Sequence, residues 1–504
     1  MRLIGGLLAA AALALVFAAS AAAAPKTHQV LVVGNNWDGT ADVLDGHSFK
    51  RLIRLNIVPD KDQRMAEIMA DPAAAGFFTG INLLIGEGHN QYVDDAFTSH
   101  DGRFLYVSRP SFKDVVAIDL ATRKIAWRFQ VDGYRSDHMA ISPDGRTLLV
   151  SASTANVVHA IDTATGKEAW RFPSGDSPHE SNFSRDGRLI FHASIGRVYT
   201  ATDDPPLENE TKGERYFQIV DARTHKILRR VRMGQKLAEA GYPNMSDAVR
   251  PMAIAPGERI IYMQISFLHG FIEYDVPHNK VLRVAHLPVS EATKKLRRQD
   301  YILDSAHHGI AIDPQGNKLC VAGTMSNYAA IVSRATFGSR IAARGERPYW
   351  VTNSGDGKYC FISFAGNDRV SVVSYAKEKE VASVPVGDHP QRMRVGGIRC
   401  AYLGPRVDCV APRLSGLRAR RGKRRRYRLR ARLSERAAVK IVVAARRHGR
   451  WRTVRVLSRR GRPGVNRFRL GRLSKAGRYR VRVRATDPAG NASRRYAKRF
   501  RVRR

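Results

Sequence analysis

Cysteine is scarce in this chain. There are four in 504 residues, and none stands in a CxxC, CxxCH or Cys/His zinc spacing. That excludes a thioredoxin-like redox pair, c-type haem attachment and a zinc ribbon. No apolar stretch after the N-terminal one is long enough to cross a bilayer, so no later transmembrane helix is expected. Acids are missing from one end: from residue 411 onward there are 36 Lys and Arg against only Glu435 and Asp487. That end carries +34 of the formal +40 and leaves the first 410 residues near +6. Such asymmetry predicts two domains with different partners.

The N-terminus, MRLIGGLLAAAALALVFAASAAAAPK, has a short positive region at Arg2, an apolar region from Leu3 to Ala19, and A-x-A choices after it. Residues 1–24 therefore read as a secretory signal peptide, with no nearby cysteine for lipidation. The expected location is secreted or extracytoplasmic, possibly associated with the cell envelope. Hydrophobic residues make up 43%, enough for a real core.

A phrase returns along the chain: SHDGRFLYVS (99–108), SPDGRTLLVS (142–151), SRDGRLIFHA (184–193), APGERIIYMQ (255–264), DPQGNKLCVA (313–322) and SGDGKYCFIS (354–363). Successive starts lie 43, 42, 71, 58 and 41 residues apart, a period near 42 with insertions. In each unit an apolar strand precedes the phrase and a β-rich strand follows the Asp-Gly turn. A third strand ends in Asp119, Asp162, Asp221 or Asp275, and a fourth follows a turn such as TATGK. Four short antiparallel strands per repeat make a propeller blade. The count is seven, with an incomplete first unit. QVLVVGN, TADVLDG and KRLIRLNIV supply three strands, and HPQRMRVGG (389–397) must pair with the strand near 29–34 to close the ring.

The units resemble the YVTN-type β-propeller repeat, most fully in RPYWVTNSGDGKYCFISFAGNDRVSVVSYAKEKEVASVPVGDHP (347–390). AIDTATGKEAW (160–170), and in part AIDLATRKIAW (117–127), are similar to the tryptophan-docking motif of quinoprotein propellers, which implies core roles for Trp127 and Trp170. The resemblance implies an all-β fold, with a seven-bladed propeller over 28–398. It does not imply a quinone: quinoprotein dehydrogenases have more blades and a vicinal cysteine pair, and no CC occurs here. Cys320 and Cys360 read as one slot of one strand in adjacent blades. Equivalent slots point the same way around the ring, so both are expected to be small buried thiols that do not meet. Cys400 and Cys409 bracket a short loop with Gly404 and Pro405 and are the expected disulfide, within a linker at 399–412.

The long insertions, 59–89, 196–215, 234–249 and 289–306, all fall on the face where the inner strands begin, here called the top. Aligned on the repeat, the first rim position holds Asp94, Asp137, His179, Arg250, His308, Tyr349 and Gln391. The next holds Asp95, His138, Glu180, Pro251, Gly309, Trp350 and Arg392, and His307 precedes His308. Asp94, Asp95, Asp137, His179 and His308 suit a divalent metal. Asp137, His138, His179, Glu180, Arg250 and His308 are the candidate catalytic groups, with Glu180 or an Asp as base and Arg250 steadying an oxyanion. No cofactor other than such a metal is expected.

After residue 412 apolar residues and Arg alternate, as in RYRLRARLS and GRYRVRVRATDPAGN. Period-two alternation means half-buried strands. The 413–504 segment reads as an Arg-rich β-sandwich that resembles immunoglobulin or fibronectin type III-like modules. Arg480, Arg482 and Arg484 are the expected polyanion contacts. The sequence therefore points to a monomeric extracytoplasmic binding or scaffold protein. Its basic module would hold a polyanionic cell-wall polymer, acidic polysaccharide or anionic lipid surface, and its top face would take a protein or small-molecule ligand. The alternative is an enzyme using the rim, a lactonase-like hydrolase or a metal-dependent oxidoreductase.

Overall fold

Each repeat unit folds into one four-stranded antiparallel sheet, and seven such sheets follow one another around a ring. The computed structural model of the chain describes residues 26–84, 86–198, 211–405, 407–422, 426–473 and 475–503. The expected signal peptide and most of the 196–215 loop lie outside the described residues. Blade 1 takes Thr27–Asn35, Thr40–Asp45 and Arg51–Asn56 from one end of the chain and its inner strand, Pro390–Arg399, from the other. Val30 pairs with Gly396 and Val33 with Met393. The closure that the incomplete first repeat required is therefore present. Blades 2 to 7 occupy 95–130, 136–173, 178–231, 249–286, 310–344 and 348–385.

Middle strands are buried on both sides, so their alternate residues enter different cores. Val30 and Val32 pack with Leu105 and Val107 of blade 2, while Leu31 and Val33 pack with Trp350 and Phe361 of blade 7. Seven apolar clusters fill the seven blade-to-blade seams. The returning phrase is explained by its turn. The Ser142 hydroxyl donates to Asp144 at 2.6 Å, Asp144 accepts from the Arg146 amide at 3.1 Å, and Gly145 sits at φ +75. Ser99–Asp101, Ser184–Asp186 and Ser354–Asp356 repeat the first contact.

The two docking tryptophans are half-buried clamps rather than core residues. Trp127 lies flat on Gly166 of the next blade, where a Cβ would fall 2.5 Å from the indole. Trp170 stacks on His225, which takes the same turn position one blade further on, with ring centroids 4.1 Å apart.

Cys320 and Cys360 are not separate thiols but a disulfide joining blades 6 and 7, with Cα atoms 6.6 Å apart. The expectation failed by one residue of register. Counted from the turn glycines Gly316 and Gly357, Cys320 stands fourth and Cys360 third. Side chains alternate along a strand, so the two point to opposite faces of their sheets and meet across the shared seam. Cys400 and Cys409 form a second disulfide.

The top is capped. Helices Lys61–Met69 and Pro72–Leu84 pack Ile68 and Phe78 against Tyr92 and Phe112. Under them buried Arg109 grips Asp114 with two nitrogens at 2.8 Å and reaches Asp60 at 2.5 Å. Trp37 is stacked between His89 and His389 at 3.9 and 3.8 Å. Beyond the linker, a three-stranded sheet (Leu414–Arg421, Arg426–Leu433, Gly464–Arg472) faces a four-stranded one (Arg450–Gly461, Ala437–Arg447, Gly477–Thr486, Tyr496–Val502). Leu429, Leu470, Ile441, Val443 and Val481 fill the space between them.

The blade 6–7 disulfide closes a loop with a sequence separation of 40, for which loop-closure entropy gives at most about 4 kcal/mol. A C320S/C360S double variant is expected to unfold with about 2–4 kcal/mol less stability in denaturant. An unchanged midpoint would show that the seam holds without the bond.

Candidate functional site

The inner strands start irregularly, and that irregularity builds the site. Register shifts occur between Ser136 and Met139, Pro178 and Ser181, Val249 and Met252, and Pro348 and Val351. Each brackets the two rim positions of its blade. A bulge breaks the alternation of side chains, so two consecutive residues can serve the channel mouth.

His138, His179 and His308 converge there, each at most 3% exposed. Ring centroids are 3.8 Å apart for His138–His179, 5.7 Å for His179–His308 and 6.3 Å for His138–His308. One ligand atom from each lies within 4.8 Å of the others. A second set, Asp94, Asp137 and His138, meets the same limit and shares His138. Tyr349 stacks on His308 at 4.0 Å, and Trp350 stands edge-on to His138 at 5.7 Å. Burial, then the charge of Arg392, holds all three imidazoles well below their ordinary pKa, so they are neutral. Asp94 is pushed well above the usual carboxylate range by burial, against the pull of Arg392.

The expected site residues divide into two groups. Asp94, Asp137, His138, His179 and His308 are brought together. Asp95, Glu180 and Arg250 are engaged in the frame. Asp95 takes two hydrogen bonds from Arg394, at 2.8 and 2.6 Å, and one from the Met139 amide at 3.2 Å. Glu180 accepts from the Met252 amide at 2.8 Å and from Asn182 at 2.9 Å. Both carboxylates thus tie their own blade to an inner strand of another. Burial lifts Glu180 to about 7, yet both its oxygens are already committed. Arg250 donates to the Ser266 hydroxyl at 2.9 Å and to the Leu303 carbonyl of the cap. The base and oxyanion roles expected of Glu180 and Arg250 are therefore replaced by structural ones.

Three arginines partner the rim acids; Arg392 stands at an aligned rim position, whereas Arg394 and Arg135 do not. Arg392 reaches Asp94 at 2.5 Å, Arg394 holds Asp95, and Arg135 reaches Asp137 at 3.0 Å and Gln91 at 2.7 Å. Arg392 and Arg394 also lie over the Trp350 ring, at 5.3 and 4.8 Å. A basic residue beside each rim acid is the signal that could have found them. A cleft of about 1510 Å³ lies away from the rim. It lies at the opposite mouth, between the propeller and the sandwich, with His47, Phe97, Tyr359, Arg484 and Asn491 among its walls.

Residues 111–229 match the family model described as outer membrane protein assembly factor BamB, a stretch that contains AIDTATGKEAW. Among solved structures, the chain is similar to a chain of Kuenenia stuttgartiensis hydrazine synthase at 17% identity and a TM-score of 0.45, covering 62% of this chain and 96% of that one. No curated protein matches the chain.

The buried imidazoles make stability depend on pH. Besides the rim three, burial holds His192, His307 and His389 at about 3. Unfolding returns all six to an ordinary pKa near 6.5, so below that pH the unfolded chain binds more protons. The stability these groups contribute is complete above pH 6.5 and is lost as pH falls, by up to about 1.4 kcal/mol per unit for each. Asp94, Asp114 and Glu180, raised by burial, act in the opposite sense but are fewer. The melting temperature is expected to fall between pH 7 and pH 5. A flat or rising profile would mean that these imidazoles are protonated in the fold.

Proposed function

We propose that this protein is an extracytoplasmic β-propeller scaffold whose basic β-sandwich attaches it to a polyanionic surface. In this reading the blades are of the YVTN kind and the sandwich is an immunoglobulin or fibronectin type III-like module. The observation that carries the proposal is a grid of arginines in strand register. In the three-stranded sheet Arg418 is opposite Arg430, which is opposite Arg467; Arg420 is opposite Arg428, which is opposite Arg469. In the other sheet Arg480 is opposite Arg499 and Arg478 is opposite Arg501. Like charges directly opposite each other destabilise a sheet. No acid pairs with these arginines among the described residues, and nearly all are exposed.

Strands lie about 4.7–4.9 Å apart, so each row is a closely spaced line of cations. Repeating phosphates or carboxylates relieve that repulsion and release their counterions. Burial of apolar side chains between the sheets keeps the arginines outside. The two disulfides suit an oxidising compartment. Arg480 plays a different part from Arg482 and Arg484, because its guanidinium lies over Trp451 at 4.7 Å.

The test is binding of the full chain to anionic vesicles, to a polyphosphate-backbone wall polymer and to an acidic polysaccharide over a salt series. With 6–10 contacts, affinity is expected to drop about 10³–10⁵-fold from 50 to 200 mM salt. An R478E/R482E/R484E variant is expected to keep its melting temperature while the salt slope falls by about 3. Binding that is flat in salt, or unchanged in the variant, would leave the sandwich as a spacer.

A further inference from the structure

The channel mouth holds imidazoles that the scaffold reading does not use. We propose that His138, His179 and His308 form a binding site for a divalent late first-row transition ion of the zinc or copper kind, beside Asp94 and Asp137. The site includes His138, which the sequence marks as a candidate catalytic group and not as a metal ligand.

Three independent features support it. First, the ligand atoms are already close: one from each imidazole lies within 4.8 Å of the others. Nitrogens bound tetrahedrally at about 2.0–2.1 Å stand about 3.4 Å apart, so small ring rotations suffice. Second, both ring nitrogens of His138 and Nδ1 of His179 are buried without a hydrogen-bond partner. A buried nitrogen without a partner is costly, and these two tilted rings, with centroids 3.8 Å apart, present lone pairs that an ion can satisfy. Third, the charges fit. Arg392 is matched by Asp94, whose Oδ2 remains unpartnered. Asp137 lies on the same side, 3.8 Å from His138 Nε2. Arg135, Arg250 and Arg394 are held by Asp137, by Ser266 and the Leu303 carbonyl, and by Asp95.

Imidazole donors select zinc, copper, nickel or iron over magnesium and calcium, which take oxygen ligands. Three histidines leave a fourth position for water or a carboxylate. Tyr349 and Trp350 wall the site, and the Trp37 stack with His89 and His389 belongs to the cap above it. Asp408, Glu435 and Asp487 also come within ligand distance of one another, but they are an acidic cluster with no buried unpartnered donor and serve here as the control.

The purified full chain, loaded with Co²⁺ and then titrated with Zn²⁺, tests the site. One equivalent of Co²⁺ with visible bands of a four-coordinate, nitrogen-ligated ion is expected, displaced by Zn²⁺ and not by Mg²⁺. H138Q, H179Q and H308Q should each weaken uptake by more than about 10-fold, while H278Q on the surface and E435Q leave it unchanged. Zinc-edge X-ray absorption of the unmutated chain gives a readout that does not depend on a variant folding, and it should show imidazole shells at about 2.0–2.1 Å. No uptake, uptake insensitive to the three glutamine variants, loss of the ion in E435Q, or an oxygen-only shell would each overturn the proposal. The polyanion reading stands or falls separately, because its salt series concerns the sandwich alone.

Discussion

Ring closure is the constraint on which the rest of the molecule depends. One end of the chain supplies three strands of blade 1 and a strand more than 350 residues away supplies the fourth. Once Pro390–Arg399 is seated, blade 1 has its inner strand, and Arg392 and Arg394 come to lie against Asp94 and Asp95 of blade 2. These are buried charges, and such pairs are not strong net stabilisers. Their consequence is positional: removing either partner strands a charge in the interior, so the closing strand has one acceptable register. The rim exists only in that register, because its electrostatics are set by arginines of the closing strand.

The closed ring also explains how the mouth becomes dry. Seven inner strands converge, four of them bulge at their rim residues, and insertions lie on the same side. The cap touches the rim directly, through Leu303 on Arg250 and through Gln91 on Arg135. Excluding water keeps the imidazoles neutral and makes an unpartnered nitrogen expensive.

The architecture was legible because turn chemistry repeats. Ser-x-Asp-Gly marks the hairpin in four blades and related turns mark it in two more, and counting those hairpins exposed the missing strand. What was misread turned on single residues. Cys320 and Cys360 looked equivalent because their phrases look equivalent, yet one residue of offset reverses the direction of a strand side chain. Asp95, His138 and Glu180 share one aligned position but not one role, since the two carboxylates found backbone amides of other blades and the imidazole found none. Sequence alignment reports position, whereas the bulge and the neighbouring blade decide partnership. The pairing of the rim acids with arginines was not legible for the same reason: Arg392 was placed on the rim, but its partner Asp94 is separated from it by 298 residues.

Charge separates the two parts of the chain in a way that folding energetics alone does not require. In the propeller the arginines at the cap and rim are matched: Arg109 with Asp60 and Asp114, Arg392 with Asp94, Arg394 with Asp95. In the sandwich arginine faces arginine across the strands, with two acids for the whole segment. Both sheets still bury a continuous apolar layer, so the fold tolerates the repulsion without being stabilised by it. Salt screens such a surface within about 8–10 Å, which limits the penalty in solution but leaves a dense cationic face. Under the proposed polyanion reading, a partner supplies the compensating anions, and the sandwich is the element that binds while the propeller is the body held in place.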